Sequence, residues 1–129
     1  MSTIRILTID DDDMVLNYLS RMLSVHYTIL TCNDPHIAIS MVNTEQPDLI
    51  LCDIDMPEVD GGMIGAALAA NAHTANIPLI YLTSIVSQSE VHALEGIVGG
   101  RPGISKRASL PELIAAIESQ LLTDSSTSS

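Results

Sequence analysis

The strongest constraint on this chain is its alternation of two kinds of segment. Short aliphatic runs at residues 4–9, 49–52 and 79–82, with weaker ones at 27–31 and 103–105, lack a consistently polar face. Such runs read as parallel strands buried on both sides. Between them, apolar residues recur at helical spacing: Val15, Leu19, Met22 and Leu23, then Ile37, Met41 and Val42, then Leu110, Leu113, Ile114, Ile117 and Leu121. Five strands alternating with five helices predict a doubly wound α/β domain, with every crossover of the same hand.

Start signals sharpen the helices. Asp34-Pro35 reads as an N-cap followed by proline at the first helical position. Ser87-Gln88-Ser89-Glu90 and Ser109-Leu110-Pro111-Glu112 read as capping boxes. The third helix, residues 62–72, carries no charge and is rich in Gly and Ala. Close packing on the sheet accounts for that, and the sharper reading is cover by a partner, a second copy included, or by another domain. Residues 1–122 make one domain. Residues 123–129 are Ser/Thr-rich and read as a frayed tail or the start of a linker.

Composition excludes several functions. The chain has 129 residues, 47% of them hydrophobic, and no Phe or Trp. That is enough apolar surface for a core, so disorder is not expected. The formal charge of −11 argues against a nucleic-acid surface and against docking on anionic lipid. The stretch from Gly61 to Ser89 lacks Asp, Glu, Lys and Arg, but Asn71, His73, Thr74, Asn76 and Pro78 divide it into pieces too short to span a membrane. Cys32 and Cys52 are too few for a disulfide framework and read as reduced core thiols. With no signal peptide in view, a cytoplasmic location follows as the expectation. His26, His36, His73 and His92 have no zinc-ligand spacing.

The chemistry gathers at the strand ends, where open parallel sheets build their sites. Strand one is followed by Asp10-Asp11-Asp12-Asp13 and strand three by Asp53-Ile54-Asp55-Met56-Pro57-Glu58-Val59-Asp60-Gly61. Thr83-Ser84 follows strand four and Lys106-Arg107 follows strand five. If strands one and three are neighbours, Asp10, Asp11 and Asp53 converge. Such a cluster repels itself unless a cation joins it, and its oxygen donors suit Mg²⁺. A carboxylate nucleophile, a metal, an ammonium and a hydroxyl together suit in-line phosphoryl transfer. Asp12 and Asp13 read instead as helix-start residues, Pro57 and Gly61 as turn residues, Met56 as a gap-filler, and Tyr81 as core.

These motifs, taken in order, resemble the receiver domain of two-component response regulators. The matching pieces are Ile9-Asp10-Asp11-Asp12, Leu51-Cys52-Asp53-Ile54-Asp55-Met56-Pro57 with Asp60-Gly61, Leu82-Thr83-Ser84, and Lys106. The resemblance implies a flavodoxin-like fold with strand order 2-1-3-4-5. It implies Asp53 as phospho-acceptor and Asp10 and Asp11 as the metal-binding acids. Asp55 would lend a backbone carbonyl to Mg²⁺ or Mn²⁺, Thr83 would be the switch hydroxyl, and Lys106 would pair with the phosphoryl group. It further implies a histidine kinase or histidine phosphotransfer protein as donor and a downstream output domain or protein, with no enzymatic activity beyond the domain's own phosphorylation and dephosphorylation.

Two positions depart from that pattern. Arg107 stands where the family usually has a proline with a cis peptide bond. A cis bond before a non-proline costs about 2.5–4 kcal/mol, so either strain holds it or the loop runs differently. Gly103 stands where strand five usually carries the switch aromatic. Both favour a degenerate receiver that binds partners without phosphate. A haloacid-dehalogenase-like phosphatase is the enzyme alternative, since Asp53-Ile54-Asp55 fits its first motif. Against it, Asp10-Asp11 precedes that motif and no acid pair follows Lys106.

Overall fold

The computed structural model of the chain describes residues 3–54, 56, 61–83 and 102–128. Strands β1 (Arg5–Ile9), β2 (Thr28–Cys32), β3 (Leu49–Asp53), β4 (Leu79–Thr83) and β5 (Gly103–Ser105) form one sheet in the order β2-β1-β3-β4-β5. Every neighbouring pair is parallel. Helices α1 (Asp13–Leu23), α2 (Ala38–Glu45), α3 (Gly61–Ala69) and α4 (Leu110–Ser128) flank it. This is the flavodoxin-like order that the resemblance implied. The strand order reverses beside β1, so the carboxyl ends of β1 and β3 border a crevice.

Alternation along the strands builds two apolar layers. Leu7, Ile9, Ile50, Cys52, Leu79 and Tyr81 point to one face, where they meet Ala38 and Val42 of α2 and Ile64 and Leu68 of α3. Ile6, Leu49, Leu51, Ile80 and Leu82 point to the other, where they meet Leu19 and Leu23 of α1 and Leu113 and Ile117 of α4. β3 and β4 are buried along their whole length. That explains the apolar runs that lead up to Asp53 and Thr83, because both pleat faces are covered. Each such Leu or Ile contributes about 1.5–3 kcal/mol relative to exposure. Cys32 and Cys52 are buried and form no disulfide, as expected of core thiols, and burial pushes the Cys32 thiol up.

Several boundaries differ from the sequence expectations. Asp34 caps a short 3₁₀ turn at Pro35–Ile37, and α2 begins only at Ala38 because Ile37 leaves helical backbone with ψ near 2°. Gly61, read as a turn residue, opens α3. α3 stops at Ala69, short of the expected residue 72. There the Thr74 hydroxyl donates to the Leu68 carbonyl at 2.6 Å, and the His73 N–H takes the Asn71 side chain at 2.9 Å. These local bonds compete with further helical turns. The backbone of α4 continues to Ser128. Residues 123–128, expected as a tail, therefore carry on its hydrogen-bond ladder, since propagation is easier than nucleation. The Ser109–Glu112 capping box forms in both directions, at 3.0 and 3.3 Å. The helix expected to start at the Ser87–Glu90 box lies outside the described residues. Among the described residues, no helix is long and apolar enough to cross a membrane.

Thr74 offers a direct test of the α3 stop, since it is only 1% exposed. Thr74→Val keeps the volume and removes the donor. We expect a loss of about 1–2 kcal/mol in urea unfolding with an unchanged m-value. Unaltered stability would show that the bond does not hold the turn.

Candidate functional site

The chain leaves β1 at Asp10, whose N–H donates to the Cys32 carbonyl at 3.1 Å. Asp10 Oδ1 accepts the Asp12 N–H at 2.9 Å, and Asp12 Oδ1 in turn accepts the Met14 N–H at 2.9 Å. Asp12 is thus the N-cap of α1, as its position predicted. Asp13 lies in the first helical turn and accepts from Asn33 Nδ2 at 3.0 Å, tying α1 to the loop after β2. The run of four acids therefore divides its tasks. Asp12 and Asp13 organise the helix start, and the remaining oxygen of Asp10 faces the crevice.

Asp53 is the last residue of β3. Ile9 and Cys52 are in register, so the next residues along, Asp10 and Asp53, lie side by side. Both are buried, at 1% exposure. Lys106, just beyond β5, reaches back across the end of β4. Its Nζ lies 3.1 Å from Asp10 Oδ2 and 3.2 Å from Asp53 Oδ1. Thr83, buried at the end of β4, holds the base of this lysine, because its carbonyl accepts the Lys106 N–H at 2.8 Å. Asp11, which is exposed, completes a trio in which one oxygen from each of Asp10, Asp11 and Asp53 lies within 4.8 Å of the others.

The electrostatics follow from burial. Desolvation pushes Asp10 from an ordinary 3.8 up to about 6, and the Asp53 charge pushes the same way. The Asp12 N–H and the Lys106 ammonium pull it down without cancelling the rise. For Lys106, burial lowers the pKa, but the bonds and charges of Asp10 and Asp53 outweigh that and raise it. Among the described residues, the buried Asp10 Oδ2 has no hydrogen bond of good geometry, only the ion contact with Lys106. An under-coordinated carboxylate oxygen beside two further carboxylates, one of them open to solvent, is the donor set a hard divalent cation takes.

The structure thus brings together Asp10, Asp11, Asp53, Thr83 and Lys106. Asp55 lies outside the described residues. Among the described residues there is no cis peptide bond, so the loop at Arg107 runs differently from the family's usual path. The residue after Lys106 closes a turn on Ser105, whose Oγ accepts the Arg107 N–H at 3.0 Å. Ser105 and Asn33 drew no notice in the sequence. A hydroxyl residue two before an exposed N–H is the signal that could have found Ser105. Gly103 is in register with Tyr81, which is fully in the core as expected. The aromatic on this part of the sheet therefore belongs to β4.

Because the fold favours protonated Asp10, this residue's contribution to stability is complete below about pH 4 and is lost as pH rises through about 6. We expect its carboxyl carbon to titrate by NMR near that upper value. Lys106→Met should drive the midpoint higher and Asp53→Asn should lower it. A downward move in Lys106→Met would contradict the site geometry.

Comparison with known proteins identifies the family and the fold. A family profile described as the response regulator receiver domain matches residues 6–118. Response regulator MprA of Mycobacterium leprae is 34% identical over 119 residues, covering 91% of this chain and 50% of that protein. A Vibrio cholerae protein named "Probable cyclic di-GMP phosphodiesterase" is 30% identical over 121 residues, covering 94% of this chain and 27% of that protein. The chain thus spans half or less of these relatives. A response regulator structure from Desulfuromonas acetoxidans superposes with a TM-score of 0.78 at 26% identity, covering 93% of this chain and 98% of that one. The chemotaxis protein CheY4 of Vibrio cholerae also has a TM-score of 0.78, at 20% identity over 91% of this chain and 98% of its own, and so bears on the fold alone. With the profile covering most of its length, the chain belongs to the response regulator receiver domain family of two-component systems.

Proposed function

We propose that this receiver accepts a phosphoryl group on Asp53 from a histidine kinase or histidine phosphotransfer protein, in a Mg²⁺-dependent reaction. The observation that carries this reading is the single ammonium of Lys106 bridging Asp10 and Asp53 at 3.1 and 3.2 Å, with Asp11 beside them. An Asp53 carboxylate oxygen attacks phosphorus in line. The new O–P bond forms as the bond to the donor nitrogen or oxygen breaks, and the donor leaves with that electron pair. Lys106 is close enough to Asp53 to transfer its pairing to a phosphoryl oxygen. Thr83, at the end of the neighbouring strand, would donate its hydroxyl to a second oxygen. Asp10, Asp11 and Asp53, with the Asp55 carbonyl, would hold Mg²⁺ or Mn²⁺. When bound, the cation neutralises charge on the transferring group.

The added charge would draw Thr83 and Lys106 inward and shift the populations of β4, the segment after it and β5. A downstream output domain or protein reads that shift. We place the domain in the cytoplasm, as a switch whose chemistry is limited to its own phosphorylation and dephosphorylation. The activity named for the Vibrio cholerae relative belongs to a protein of which this chain matches 27%. Family membership gives no support to the phosphatase alternative, and Asp53 ends the third strand, not the first. A receiver that works without phosphate draws its support from Gly103 and Arg107 and is opposed by the complete acid–lysine cluster.

Acetyl phosphate with Mg²⁺ should leave an acid-stable, base-labile label on the chain. Asp53→Asn should reduce that label to background, and EDTA should do the same. Lys106→Met should slow it on the order of a hundredfold, the usual scale for losing one preorganised charge stabiliser. Equal labelling of Asp53→Asn would refute the acceptor assignment. A parent chain that takes no label, and whose Mg²⁺ affinity is unchanged by a beryllofluoride phosphoryl mimic, would favour the phosphate-independent module.

A further inference from the structure

We infer that Ser105 is a positioning residue for Lys106, acting through the turn that it closes. The lysine must hold its ammonium against two buried carboxylates, yet its anchorage in the sheet is slight. β5 has only three residues and, among the described residues, pairs with β4 alone. Beyond the Lys106 N–H bond to the Thr83 carbonyl, no ladder continues among the described residues. A four-carbon stem on an edge strand would sample many rotamers, and each buried rotamer-rich side chain gives up entropy to stay in place.

Ser105 supplies the missing restraint with two acceptors. Its carbonyl takes the Ala108 N–H at 3.0 Å, and its hydroxyl oxygen takes the Arg107 N–H at 3.0 Å. Lys106 lies between these anchors, so its backbone is bracketed on both sides. The turn then delivers Ala108, buried in the α1/α4 layer, and the Ser109–Glu112 capping box that starts α4. The clamp thus joins a short edge strand to a well-seated helix, with Lys106 at the corner. A hydroxyl bond of this type is local and depends on the residue at position 105: Thr can make it and Ala cannot. Arg107 is exposed, so without Oγ its N–H can turn to water and the corner can open.

The functional consequence rests on the phosphoryl-accepting reading above, whereas the restraint on Lys106 does not. The test therefore compares the parent with Ser105→Ala and Ser105→Thr by two independent readouts. The first is NMR: the Arg107 amide exchange rate and the order parameter of the Lys106 ammonium. The second is the initial rate of labelling by acetyl phosphate. Ser105→Ala should speed Arg107 exchange and slow labelling, each about fivefold, the scale of one neutral hydrogen bond. It should also lower the ammonium order parameter. Ser105→Thr should return all three to within about twofold of the parent, on the same scale. An unchanged order parameter in Ser105→Ala, or a threonine variant as impaired as the alanine one, would overturn the inference. If the parent takes no label, the proposed function fails, and the order parameter still decides the role of Ser105.

Discussion

The rest of the structure is arranged around one electrostatic problem. Two buried carboxylates, Asp10 and Asp53, stand side by side with a single ammonium between them. Each ion contact is worth on the order of 5 kcal/mol at an effective dielectric of about 20, before the cost of desolvation is subtracted. The pairing is incomplete: Asp10 stays above its ordinary pKa, and one of its oxygens lacks a well-formed hydrogen bond. A more comfortable arrangement would stabilise the domain and leave less electrostatic attraction for a cation. This tension is the reason to regard the cluster as a site and not as a structural salt bridge.

Holding that cluster requires the whole sheet. Asp10 needs β1 beside β3, and Lys106 needs β5 placed two strands away from β3 so that its stem spans β4. The apolar layers on both faces keep the four strand pairs in register, because a slip of one residue would exchange the faces of an entire strand. Thr83 links packing to chemistry: its carbonyl anchors Lys106 while its residue belongs to the fully buried β4. A displacement of the β4 end therefore carries the lysine with it, and the same coupling would transmit the arrival of new charge at Asp53.

The departures from the family pattern have local explanations. The turn after Lys106 is closed by Ser105 and not by a proline. The strand-five aromatic is replaced by Gly103, while Tyr81 stands opposite it on β4, in the core.

The amino-acid order by itself determined the layered α/β architecture. Strands buried on both faces must be apolar throughout, and helices packed on them must be apolar every third or fourth residue. It also marked Asp10, Asp11, Asp53, Thr83 and Lys106 as candidates, since each follows a recognisable strand. The capping box at Ser109 was equally visible, because capping is a local matter of a few residues. The limits of α3 and the start of α2 were not, because Thr74 acts on Leu68 and Ile37 breaks the helical path only in its folded setting. The tertiary structure alone decided which oxygen of Asp10 meets Lys106, how far burial raises that carboxyl group, and that Ser105 clamps the lysine corner. Those properties depend on desolvation and on distances of about 3 Å between residues far apart in the chain, and a linear pattern specifies neither.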